Sequence, residues 1–226
     1  MKGGYTEMSI DLASEFDKFI NRKEFCCIGA RKALVEKNVH YLVINDTSNQ
    51  GVEILEFISN FIHQLKVSDN FYSAVIFFQN VKLDSEKSFE RFLWGVLRDI
   101  NKIDTNKKNK WAEGYSNNTN DSNFSFSIAG EPFFIIGLHP ESHRISRRFI
   151  CPTLVFNHHI MFEKLKKTPL FDKYKTAIRK NDIRIQGYIN KHSSDFGDAS
   201  EASQYASVNE DNLFENMIFN KGGNND

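Results

Sequence analysis

The chain has 226 residues, 40% of them hydrophobic, with 29 Lys and Arg balanced by 29 Asp and Glu. That length supports one substantial core without a staple, and the zero formal charge lacks the overall basic excess expected of a nucleic-acid binder. No apolar run approaches the roughly 20 residues of a membrane-spanning helix, so no membrane partner is expected either.

Phenylalanine is frequent, at 21 residues; aromatic rings fill cores and also line planar ligand pockets. Three cysteines, Cys26, Cys27 and Cys151, have no zinc-like spacing, and adjacent cysteines rarely bridge each other. Residues 1–16 lack the pattern of a secretory leader, so the expected location is the reducing cytoplasm.

In chain order, Met8, Leu12, Phe16, Phe19 and Ile20 recur at helical spacing and predict an amphipathic helix over 8–22. A short helix is expected over Ile28–Lys37, then a strand over His40–Asp46. Val52, Leu55, Ile58, Phe61, Ile62 and Leu65 form a strong helical stripe over 51–66. A strand over Tyr72–Phe78 precedes a long helix from Asp84 to about Ile103. Residues 104–123, rich in Asn, Lys, Ser and Asp, read as a long flexible loop that serves as a lid. Phe124–Ile128, Ala-Gly and Glu131–Leu138 predict a β-hairpin, followed by a strand at Thr153–Phe156. Helices are expected over 158–166 and 169–189, then a polar irregular stretch from Lys191. Helices interspersed with strands that include a hairpin indicate an α+β fold, with a central, mostly antiparallel sheet covered by helices. The whole chain, 1–226, reads as one domain with its core at about 25–205 and an irregular tail over 206–226.

The chemistry concentrates in Gly137–Phe149 and Pro152–His159, where four of the seven histidines fall: His139, His143, His158 and His159. His139 follows directly on a predicted strand, and Pro140 prevents that strand from continuing centrally. Imidazole ligates metals, including haem iron as the proximal ligand. Arg144, Arg147 and Arg148 carry forked donors that match carboxylates such as haem propionates. A solvated basic loop with backbone-bonded histidines is the plainer reading of the same residues. His159 and Glu163 share a helix face, and with His139 they would make a two-His, one-carboxylate set for non-haem iron. Asp182, Gln186, Asp195, Asp198 and Glu201 offer acceptors for a cationic guanidinium or amine, and otherwise read as solvated surface. Cys27 is a formal thiolate ligand, but beside apolar helix formers it reads as a small buried hydrophobe.

The stretch FSFSIAGEPFFIIGLHPESHRISRRFICPTLVFNHHIMFEKLKK resembles the YqcI/YcgG family through its GLHP, SRRF and PTLVFN-x-H-x-x-FE-x-L elements. The resemblance extends from about Phe25 to Tyr205, through Ile178–Asp182, Gln186-Gly187, Asp195–Gly197 and Ser200–Tyr205. It implies a haem-dependent monooxygenase that hydroxylates a guanidino or amino nitrogen of an arginine-like small molecule, using O₂ and an external electron donor or redox partner. Placed on the motif, His139 and His159 are the implied axial-ligand candidates for the iron, and Arg144, Arg147 and Arg148 complete the implied cofactor site. Glu163, Glu201 and Asp182 are the residues expected to hold substrate. The alternatives are a non-catalytic protein that binds haem or another small ligand, and a non-haem iron oxygenase using His139, His159 and Glu163. The chain departs from the family pattern: Phe25-Cys26-Cys27 replaces its FPC element, its C-terminal CPF element is absent, and Ser203 and Val208 stand where arginines are usual. Those departures imply altered substrate recognition or weaker cofactor anchoring.

Overall fold

The computed structural model describes residues 10–23, 25, 27–65, 71–166, 168, 170–188, 197–208 and 216–223; of residues 28, 163–165, 170 and 171 it describes only the backbone. Five strands form one mixed sheet in the order β1–β2–β5–β4–β3. β1 (Val39–Ile44) and β2 (Ser73–Phe78) run parallel, with α3 (Gln50–Leu65) as the crossover. β5 (Thr153–His158), β4 (Glu131–Leu138) and β3 (Phe126–Ile128) continue the sheet antiparallel. The fold is α+β, and three of its four strand pairings are antiparallel.

Helices cover both faces, so β2 is buried at every position and carries no polar alternation. The two-residue period of a strand divides its side chains between two cores. Ala74, Ile76 and Phe78 face α3 and α4 (Glu86–Asn106), whereas Val75 and Phe77 face α1 (Leu12–Asn21). On β4 the same period sends Phe133 and Ile135 to the first face and Leu138 to the second. Each fully buried side chain, such as Ile58 or Phe61 of α3, contributes roughly 1.5–3 kcal/mol.

Local signals set the ends of the elements. Asp11 caps α1 by accepting from the Ser14 N–H at 3.2 Å. Ser85 and Ser88 cap α4 reciprocally. The β3–β4 hairpin turns at Ala129 and Gly130, both with positive φ, the geometry of a tight two-residue turn. The Asp104 carboxylate at the end of α4 accepts from the Ala129 N–H at 3.1 Å and so ties the helix to that turn.

The helix expected to end near Ile103 continues to Asn106, with Asn101 and Asp104 buried on its inner side. Two expectations need revision. The segment after α4, read as a flexible lid, lies against the body through backbone and side-chain bonds. Trp111 N–H donates to Lys221 O at 2.7 Å, Thr119 N–H to Met217 O at 2.9 Å and Ala112 N–H to the Ser127 hydroxyl at 2.9 Å. The tail read as irregular contributes Phe219, 4% exposed, to an aromatic cluster with Trp94, Trp111, Phe124 and Phe126. One helix, α7 (Ala202–Ala206), was not expected at all; five residues are too few for a periodic signal.

Candidate functional site

The second face of the sheet carries a cavity of about 370 Å³, framed by α1, α5 (His159–Lys166) and α6 (Leu170–Gln186). Its floor is Phe134, Ile136 and Leu138 of β4 with Val155 of β5, the side chains that alternation turns away from α3 and α4. Phe16, Phe25, Met161 and Phe162 complete apolar walls. The volume lies in the lower part of the range for small-molecule pockets.

His159, the first residue of α5, lines this cavity and is 4% exposed. Its Nε2 lies 2.9 Å from Glu201 Oε2, and both side chains are buried. The Tyr205 hydroxyl donates to Glu201 Oε1 at 2.6 Å, and the Phe126 N–H donates to that hydroxyl at 3.1 Å. Trp94 stacks on Tyr205 at 5.6 Å, so α4 buttresses the far end of the chain His159–Glu201–Tyr205. Burial and the adjacent Glu201 charge push the Tyr205 hydroxyl well above its usual range, so the phenol keeps its proton.

The predicted basic cluster divides. Arg144 and Arg147 line the cavity, but each is engaged within the protein. Arg144 donates to both Asp182 oxygens, at 3.0 and 3.2 Å. Arg147 donates to Tyr205 O at 3.0 Å. Arg148 is exposed, lies outside the cavity lining and donates to Ser142 O at 3.0 Å. The two acids expected to grip substrate, Asp182 and Glu201, also line the cavity, with Arg144, and with His159 and Tyr205, already as their partners. The Glu163 side chain lies outside the described residues, as does Asp195.

His139 is elsewhere. It lies at the end of β4, 1% exposed, with its ring stacked 4.1 Å above Phe89 of α4, and it is not part of the cavity wall. Neither ring nitrogen has a hydrogen-bond partner. Burial, opposed by Glu86 and reinforced by Arg147 and His143, pushes its pKa down to about 4, so the ring is neutral. Gly137 makes this packing possible: a Cβ there would lie 2.5 Å from the Phe89 ring. His143 pairs with Glu86, and its N–H donates to the same carboxylate at 2.8 Å, which docks the loop onto α4. His158 accepts the Ile160 N–H on Nδ1 at 3.1 Å, leaving Nε2 to donate to Glu131 at 3.0 Å; it starts α5. The four clustered histidines therefore hold four different posts, and only His159 faces the cavity. Among the described residues no three His, Cys, Asp or Glu side chains gather as a metal ion would require.

Two functional-looking residues escaped the sequence reading. Tyr205 holds Glu201, and Arg179 of α6 lines the cavity with its Nε buried and without a hydrogen-bond partner. Arg179 and Lys175 share a helix face with Asp182, at spacings of three and seven, a signal present in the sequence.

The structure is thus an α+β sheet with an apolar, histidine-bearing cavity on its second face. The chain belongs to the YqcI/YcgG family, whose model matches residues 16–216. No curated protein and no solved structure matches it.

Proposed function

We propose that the cavity holds haem through His159 and that the protein is a monooxygenase for a guanidino or amino nitrogen of an arginine-like small molecule. The observation that carries this reading is His159 itself, an imidazole in an aromatic-walled cavity with a buried carboxylate 2.9 Å from Nε2. Metal-bound imidazole commonly donates its other ring N–H to such a carboxylate, which fixes the ring and raises its basicity. The donor set suits haem in a second respect: apolar, aromatic walls suit a porphyrin, and the guanidinium of Arg179 suits a propionate. Cys27 also borders the cavity, but burial raises its thiol pKa, which opposes thiolate ligation. The non-haem alternative loses support because His139 lies outside the cavity that contains His159.

Bound there, haem supplies the reductive activation of O₂. His159 would hold the iron through the ring nitrogen that does not face Glu201. Glu201 lies 2.9 Å from the other ring nitrogen as an ion-pair contact, and Tyr205 keeps Glu201 in place by donating at 2.6 Å. Phe16, Phe134 and Phe162 exclude water from the reacting nitrogen. One oxygen atom enters the substrate N–H bond and the other leaves as water, balanced by two electrons from an external donor and two protons. A cytoplasmic location belongs to this reading, supported by the free thiols of Cys27 and Cys151.

Haemin titrated into the purified protein tests the proposal. The wild type and His139→Ala should develop a Soret band, and His159→Ala should lose it. With a reductant, O₂ and arginine, related guanidines or amines, mass spectrometry should show product heavier by one oxygen. A wild type that stays without a Soret band, or a His159→Ala spectrum identical to it, overturns the assignment. A Soret band without product would leave a binding protein.

A further inference from the structure

Among the described residues five cationic side chains, Arg144, Arg147, Lys166, Lys175 and Arg179, line the cavity against two carboxylates, Asp182 and Glu201. Both carboxylates are already matched within the protein, by Arg144 and by His159 with Tyr205. Lys166 and Lys175 have interactions of their own within the protein. Arg147 is committed to Tyr205 O. Arg179 differs from these, because its Nε is buried and has no acceptor among the described residues. A buried guanidinium N–H closed off from water without an acceptor is costly, and an anion brought by a ligand would remove that cost.

We propose that Arg179 anchors a carboxylate of the molecule that occupies the cavity. The guanidinium fork suits a carboxylate better than an ammonium would, through two parallel N–H donors. Asp182, one turn further along the same face of α6, pairs with Arg144 and leaves the Arg179 Nε without a partner among the described residues. This deepens the reading above, under which the carboxylate has two sources: a haem propionate, or the carboxylate of an amino-acid substrate.

Two probe pairs separate the sources, applied to the full chain and to Arg179→Ala and Arg179→Lys. Haemin against haemin dimethyl ester tests the propionate, by absorbance titration. Arginine against agmatine, its decarboxylated counterpart, tests the substrate carboxylate, by calorimetry on both the unloaded and the haem-loaded protein. In one pair Arg179→Ala should weaken binding of the acid about 10- to 100-fold and leave the ester or the amine unchanged, the loss expected for one charge-assisted contact. Arg179→Lys should recover part of the loss. Equal weakening of acid and neutral probe marks a merely structural role and overturns the proposal, as does a change under twofold in both pairs. If haemin does not bind the wild type, the haem reading falls and arginine against agmatine on the unloaded protein still decides Arg179. If neither acid binds the wild type, the carboxylate proposal falls as well.

Discussion

Replacing His139 with phenylalanine should flatten the acid limb of the protein's stability curve. The imidazole is 1% exposed, stacked on Phe89, and has no partner at either nitrogen, so protonation in the folded state is opposed mainly by burial. Glu86 favours the proton, whereas Arg147 and His143 oppose it. In the unfolded chain the group titrates near 6.5; in the fold it titrates at about 4. Between those values the unfolded state binds more protons, so the contribution is intact above pH 6.5 and is lost as pH falls toward 4. At about 1.36 kcal/mol per pH unit the full loss amounts to roughly 3 kcal/mol. Phenylalanine keeps a ring against Phe89 and removes the titration. Urea midpoints for wild type and His139→Phe at half-unit steps from pH 7.5 to 4 isolate the effect, because titrating groups not coupled to His139 cancel in the difference. The two curves should diverge by roughly 3 kcal/mol across that window. Parallel curves would refute the reasoning, showing that His139 reaches water or a counter-charge in the folded protein.

Three further outcomes follow from the packing. Gly137→Ala should destabilise by roughly 1–3 kcal/mol in urea melts, because its Cβ would meet the Phe89 ring at 2.5 Å and Tyr205 O at 2.9 Å; trimming Phe89 to leucine in the same chain should recover part of that. Tyr205→Phe should lower stability by about 2–3 kcal/mol, since it strips Glu201 of a donor and the Phe126 N–H of an acceptor, and calorimetric melting will read it. Arg144→Met alone should cost roughly 3–5 kcal/mol by taking the guanidinium from the buried Asp182 carboxylate, whereas Arg144→Met with Asp182→Leu should regain most of it; a double-mutant cycle without coupling would contradict this.

Periodicity made most elements legible, because burial imposes its spacing directly on the sequence. The stripe Leu55, Ile58, Phe61, Ile62 and Leu65 became α3, and the unbroken apolar run of residues 74–78 became the body of β2, buried on both faces. What escaped was decided by long-range contacts. Residues 107–123 look like an open loop because their polar side chains bond to backbone and to the segment around Met217, 98 positions from Thr119. The histidine cluster was visible, but its division was not. His139 and His159 stand at ends of different elements, and sheet alternation together with the close approach of Phe89 at Gly137 separates them. Arg144 drew attention as a free cation; its partner Asp182, 38 residues away, is known only from the fold.

The aromatic cluster around Phe219 has a consequence for how the protein is made. Asn101 and Asn220, 119 positions apart, exchange two hydrogen bonds, so the wall beside α4 is closed by a segment synthesised long after the helix itself. At synthesis rates of roughly 5–20 residues per second, a chain that has finished β5 waits on the order of ten seconds for that segment. Throughout that interval Trp94, Trp111, Phe124 and Phe126 lack their covering ring, so the newborn protein shows the cell a greasy seam that the mature one conceals.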